Sequence, residues 1–95
     1  MFVVILSYEK PLAEVEKITP AHRAFLDEYY AKGLFLMSGR QSNQQGGVIV
    51  ACCESREELE AILAQDPFTL EGIATHQIYE FTPVKYQPAF KPYIS

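Results

Sequence analysis

The apolar residues of the chain fall into four short runs that polar segments separate. Phe2–Leu6 is apolar at every position, and Val48–Cys53 repeats that pattern. An unbroken apolar run of this length, rich in β-branched residues, is typical of a strand buried on both faces. Leu34–Ser38 and Ala74–Thr82 have strand-like composition as well. The pattern therefore predicts four strands.

The segment after the first strand predicts a helix over residues 20–32. Pro20 suits the first helical position, and Thr19 before it is a favourable N-cap residue. Gly33 supplies the left-handed residue that commonly ends a helix. Residues 9–17 contain Pro11 and mixed charge, and they are expected to form a loop, with a helical turn as the alternative. The core-facing residues at helical spacing are Ala21, Phe25, Leu26 and Tyr29.

A second helix follows the third strand. Ser55 and Glu58 have the spacing of a capping box, and the apolar periodicity continues to about Gln65. After the fourth strand the chain becomes rich in proline and aromatic residues, which excludes a central strand. We therefore expect one domain over residues 1–84 and a tail over 85–95 that packs on the domain or on a partner.

The order of elements is βαββαβ, which predicts an α+β, ferredoxin-like fold. Its four-stranded antiparallel sheet carries two helices on one face. An antiparallel sheet with one solvated face alternates apolar and polar residues, but the first and third strands are apolar throughout. The second face therefore needs a cover, and the simplest one is a second copy. We expect a homodimer that pairs through the sheet face.

This topology also brings distant residues to one edge of the sheet. The first strand ends where the first helix begins, and the second strand and second helix end at the same edge. The residues expected at this edge are Tyr8, His22, Ser38, Gly39, Arg40, Asp66 and Phe68.

Composition narrows the choice of partners. The 95 residues carry a net charge of −4, which disfavours nucleic acid and anionic membrane surfaces. No apolar run reaches the roughly 18–20 residues of a transmembrane helix, so we expect a cytoplasmic protein. Cys52 and Cys53 are adjacent, and side chains of neighbouring strand residues point to opposite faces, which argues against a disulfide between them. Metal-ligand spacing and phosphate-binding glycine motifs are absent from the sequence, and we expect no metal or cofactor.

His22 and Asp66 are the candidates for catalysis. An imidazole exchanges protons readily near neutral pH and suits general acid–base work, and a carboxylate can orient it. Each residue also has a structural interpretation. His22 can be a polar residue at the edge of an amphipathic helix, and Asp66 before a proline is a good N-cap for the turn that follows.

Five residues are candidates for substrate binding. Gly39 allows a ligand to approach the backbone, and Arg40 can bind a carboxylate. Ser38 can bind an oxygen, while Tyr8 and Phe68 can wall an aromatic pocket. The alternatives are an exposed loop arginine without a partner and aromatic rings that serve core packing.

These residues together resemble the YciI-like (YCII-related) family. The resemblance lies in Pro20-Ala21-His22, in Gly33 before a strand that ends at Ser38-Gly39, and in Asp66-Pro67-Phe68 with Gly72. It covers about residues 1–85 and implies a dimeric α+β barrel. It also implies a catalytic His–Asp pair in a cleft, at His22 and Asp66, with the family serine at Ser38. Members often have proline after the glycine, where this chain has Arg40.

Two functions are compatible with the sequence. The first is a cofactor-free enzyme of isomerase or lyase type, in which a His–Asp pair moves a proton on a small cyclic or aromatic oxygenated substrate. The alternative is a non-catalytic homodimer that binds a small ligand or a partner protein.

Overall fold

A four-stranded antiparallel sheet carries all of the helices that pack into the core. The computed structural model describes residues 1–94. The strands are β1 (Phe2–Tyr8), β2 (Phe35–Arg40), β3 (Gly46–Ala51) and β4 (Ala74–Glu80), in the spatial order β2-β3-β1-β4. The helices are α1 (Leu12–Ala31), α2 (Arg56–Leu63) and the single-turn α3 (Pro67–Leu70). A 3-10 helix over Pro88–Tyr93 follows β4.

The predicted α+β, ferredoxin-like fold is confirmed. Every pair of neighbouring strands is antiparallel. On β1, Phe2, Val4 and Leu6 are buried against the helices, because alternate residues of a strand share a face. Val3 and Ile5 lie on the opposite face and are only half-buried. Within residues 1–94, no helix combines the length and apolar composition that crossing a bilayer requires.

The start of α1 corrects the sequence prediction. The helix begins at Leu12, so residues 12–17 of the predicted loop are helical and Pro20 lies inside the helix. Pro11 holds the N-cap position, and its carbonyl oxygen accepts from the backbone of Glu14 and Val15. Thr19 does not cap the helix, and its hydroxyl donates to the Val15 carbonyl oxygen at 2.8 Å. Burial of Val15 explains the outcome, because the helix extends the core stripe by a further turn.

The loop between β2 and β3 is shorter than the gap between the predicted strands Leu34–Ser38 and Val48–Cys53. Gly39 and Arg40 belong to β2, and Gly46 and Gly47 belong to β3, which leaves a loop over residues 41–45. The predicted helix end at Gly33 and the predicted helix cap at Ser55 are confirmed. Gly33 has a φ of +74°, and the Ser55 hydroxyl accepts from the Glu58 backbone at 3.1 Å.

The segment after β4 exposes most of its side chains. The backbone N–H of Phe81 donates to the Met1 carbonyl oxygen, and beyond it no residue of the 3-10 helix is buried. The large exposed apolar residues after β4 are Phe81, Val84, Tyr86, Phe90 and Tyr93. Packing of this tail on the domain or on a partner remains a prediction.

Candidate active site

A cleft of about 400 Å³ opens between α1 and the ends of β1, β2 and β3. Its size is suitable for a small molecule. All of the predicted site residues except Asp66 line it, and Asp66 lies directly behind His22 with 1% of its surface exposed. The apolar floor of the cleft includes Leu6, Leu26 and Ile49. The predicted residues therefore meet at one place.

The imidazole of His22 makes one hydrogen bond, to the carboxylate of Asp66. Nδ1 of the imidazole lies 2.8 Å from Oδ1 of the carboxylate, and the side chains are 12% and 1% exposed. The carboxylate oxygen accepts, so Nδ1 carries the hydrogen in this pair. Nε2 has no hydrogen-bond partner among residues 1–94. Every buried side-chain nitrogen or oxygen in that range has a partner, so Nε2 is not buried. Nε2 therefore remains accessible from the cleft.

Asp66 is both a cap and a partner of His22. The same Oδ1 accepts from the backbone N–H of Phe68 at 2.9 Å, which caps α3. A buried carboxylate needs such partners, because loss of hydration is otherwise costly. The capping role predicted for Asp66 is confirmed, and the same oxygen contacts the imidazole. A catalytic role of Asp66 remains a prediction.

The Phe68 ring packs against one face of the His22 imidazole. The two rings stack with centroids 3.9 Å apart and an interplanar angle of 6°. Tyr8 meets the Phe68 ring edge-to-face at 6.0 Å. The α3 turn therefore supplies both the carboxylate and the aromatic surface that restrict His22 to one orientation.

Arg40 is tied across the mouth of the cleft. Its Nε donates to the Tyr8 hydroxyl at 3.1 Å, and its Nη1 donates to Glu16 at 3.0 Å. These bonds, to Tyr8 first and then to Glu16, raise the pKa of the guanidinium above its ordinary value. The expectation of a loop arginine without a partner is wrong, because Arg40 lies in β2. The guanidinium is a fixed positive charge at the rim of the cleft.

The sequence analysis missed Tyr30. Its hydroxyl lies 2.6 Å from the Ser38 hydroxyl, and both residues line the cleft. The signal was present in the spacing, since His22, Leu26 and Tyr30 recur every four residues on α1.

Neither cysteine has the properties of a nucleophile. Both thiols are free. Burial, followed by the nearby Glu58, raises the pKa of Cys53 to about 11, and burial also raises that of Cys52. Both are therefore protonated at neutral pH. Among the described residues, no three His, Cys, Asp or Glu side chains are grouped as a metal would require.

Comparison with known proteins places the chain in a family. A family model described as the YCII-related domain matches residues 1–82. The chain belongs to the YCII-related family. The resemblance inferred from His22, Asp66 and Ser38-Gly39 is thereby confirmed at the level of the family. A comparison with curated protein sequences gives no significant match.

Two solved structures are similar to this YCII-related chain. One is 5-chloro-2-hydroxyhydroquinone dehydrochlorinase (TftG) from Burkholderia phenoliruptrix AC1100, in complex with 2,5-dihydroxybenzoquinone. It is 20% identical, with a TM-score of 0.69 over 85% of this chain and 93% of that chain. The other is a variant of SnoaB, a cofactor-independent oxygenase from Streptomyces nogalater. It is 20% identical, with a TM-score of 0.49 over 92% and 94% of the two chains. The first likeness shows a shared fold.

Proposed function

We propose that this protein is a cofactor-free enzyme in which His22 moves a proton on a small cyclic or aromatic oxygenated substrate. The observation that carries the proposal is the Nδ1–Asp66 contact at 2.8 Å, which leaves Nε2 of a nearly enclosed histidine accessible from the cleft. A base needs this arrangement of a fixed tautomer and a reachable second nitrogen.

The proposed step breaks a C–H bond next to a ring carbonyl. Nε2 takes the proton, and the electron pair moves to the carbonyl oxygen as an enolate. A positive group must stabilise the negative charge that develops on this oxygen, and Arg40 lines the same cleft as His22. Return of the proton to another carbon completes an isomerisation, and departure of a leaving group as the carbonyl re-forms completes a lyase reaction.

The structural relative supports the class of substrate. TftG is named as a dehydrochlorinase, and its structure holds 2,5-dihydroxybenzoquinone. A flat ring with oxygen substituents is the kind of ligand proposed for the cleft of this chain, and loss of HCl is a lyase-type reaction. The apolar floor formed by Leu6, Leu26 and Ile49 suits the face of such a ring.

An exchange assay tests this proposal. The full chain is incubated in D₂O with a panel of cyclic ketones, lactones and 5-chloro-2-hydroxyhydroquinone, and NMR follows loss of the ring C–H signals. We expect exchange or turnover above the buffer rate for at least one ring compound. Binding of panel members without exchange would instead favour the alternative, a non-catalytic ligand-binding homodimer.

We also propose that the protein is a homodimer that pairs through the outer face of its sheet. On this face Val3 lies beside Val50 and Tyr79, and Val50 lies beside Met37. Met37 and Tyr79 are 50% and 56% exposed. A continuous apolar patch of this kind marks an interaction surface. A cytoplasmic location remains a prediction.

Substitution of Val3 by lysine tests the dimer. We expect the wild type to sediment at about twice the 10.8 kDa mass of the chain, and Val3→Lys to sediment as a monomer, because a charge would be buried in the interface. Ala61→Lys, which adds the same charge at an exposed position of α2, should leave the dimer intact. A monomeric wild type at 100 µM, about the upper end of useful dimer affinities, would contradict the proposal.

A further inference from the structure

The hydroxyl pair of Tyr30 and Ser38 has no part in the proton transfer proposed for His22. Their oxygens lie 2.6 Å apart, one on α1 and the other on β2, and both residues line the cleft. In a pair of hydroxyls, one O–H is used in the bond between them. The other hydroxyl keeps a hydrogen that is available to a third group. The pair therefore offers one hydroxyl hydrogen that no other group among residues 1–94 accepts.

Tyr30 lies about two turns further along α1 than His22. Tyr30 is eight residues after His22 on α1, which separates the two backbones by about 12 Å of helix axis. Leu26 occupies the position midway between them, and Ile49 of β3 lines the same stretch. Leu26 and Ile49 thus add apolar surface to a cleft that the charged residues Arg23 and Asp27 also line.

From this arrangement we infer that the Tyr30–Ser38 pair is a second oxygen-binding site that selects ligands with two oxygens on opposite sides of one apolar ring. One oxygen of the ring lies towards Nε2 of His22 or Arg40, and the other accepts the free hydrogen of the hydroxyl pair. The ring itself covers Leu26 and Ile49. This inference rests on the proposed function, because it places the ring in the cleft beside His22.

Two chemically matched ligands test the second oxygen-binding site separately from the function proposed for His22. Phenol carries one oxygen, and hydroquinone, kept reduced with ascorbate, carries two on opposite ring positions. Binding of each to the full chain is followed by ¹H–¹⁵N NMR, including the ring signals of His22. We expect hydroquinone to bind about three- to tenfold more tightly than phenol, the range for one additional neutral hydrogen bond.

Removal of the hydroxyls should abolish this preference. The double variant Tyr30→Phe with Ser38→Ala should bind hydroquinone no more tightly than phenol. Tyr30→Phe alone should lose part of the preference, since Ser38 still has a hydroxyl to donate. Tyr29→Phe is the matched control. It loses the same hydroxyl one residue earlier, from a ring that packs on Phe25 and Phe35 and does not line the cleft.

The outcomes distinguish the inference from the proposed function. A merely structural tie between α1 and β2 would lower the melting temperature of the double variant but would leave the ratio of the two affinities unchanged, which overturns the inference. If both ligands shift the His22 signals but show equal affinity for the wild type, the second site is refuted and the proposed function stands. If neither ligand perturbs His22, both are refuted.

Discussion

His22→Gln should lower the rate of proton transfer by about 10²- to 10⁴-fold, the usual contribution of a positioned acid–base group. Glutamine keeps a polar side chain within reach of the buried Asp66 carboxylate, so the fold should survive. It has no nitrogen that takes up a proton near neutral pH. The measurement is the exchange rate of the wild type's best ring substrate, with circular dichroism to verify folding.

Two substitutions of Asp66 provide the matched comparison. Asp66→Asn retains an oxygen that can accept from the Phe68 backbone, so α3 stays capped. Its amide no longer offers a full negative charge to Nδ1 of His22, and the rate should fall with little change in stability. Asp66→Ala removes both bonds and should also cost about 1–3 kcal/mol of folding free energy.

One result would contradict the assignment of His22. If His22→Gln turns over the substrate at the wild-type rate while Arg40→Gln does not, the proton acceptor lies elsewhere in the cleft. A loss of rate that accompanies a loss of circular dichroism signal is resolved by Asp66→Asn, which tests the same pair in a capped and folded chain.

The strands were predictable because their signal is local and strong. Phe2–Leu6 and Val48–Cys53 have no polar interruption. Residues 2–6 lie in β1, and residues 48–51 lie in β3. The start of α1 was not predictable from the same rules. Proline occurs both at the first turn of a helix and, at a cost, inside one. At Pro20 the tertiary burial of Val15 decides between the two, and burial is not visible in a short window of sequence.

The site was predictable as far as topology could bring residues together. The order of elements put His22 and Asp66 at one edge, and the structure places them in contact. The sequence could not reveal that one oxygen of Asp66 serves both α3 and the imidazole. Tyr30 was predictable from the spacing of His22 and Leu26, but the predicted core stripe ended at Tyr29 and did not include it.

Gly46→Ala should cost at least about 3 kcal/mol of folding free energy and lower the melting temperature by more than about 10 °C. A Cβ at Gly46 would overlap the backbone carbonyl oxygen of Leu6 and lie 3.2 Å from Nε2 of Gln41. Strand β1 cannot move away from the added methyl group, since it is paired with β3 on one side and with β4 on the other.

Gly39→Ala is the control for this prediction, because a Cβ at Gly39 has nothing within 4 Å. We expect this variant to unfold at or above the wild-type temperature, since alanine restricts the unfolded chain more than glycine does. Thermal and urea denaturation measure both variants. Equal stability of Gly46→Ala and Gly39→Ala would mean that β1 and β3 can separate at this point. Leu6 and Tyr8 would then not be held in place along the cleft.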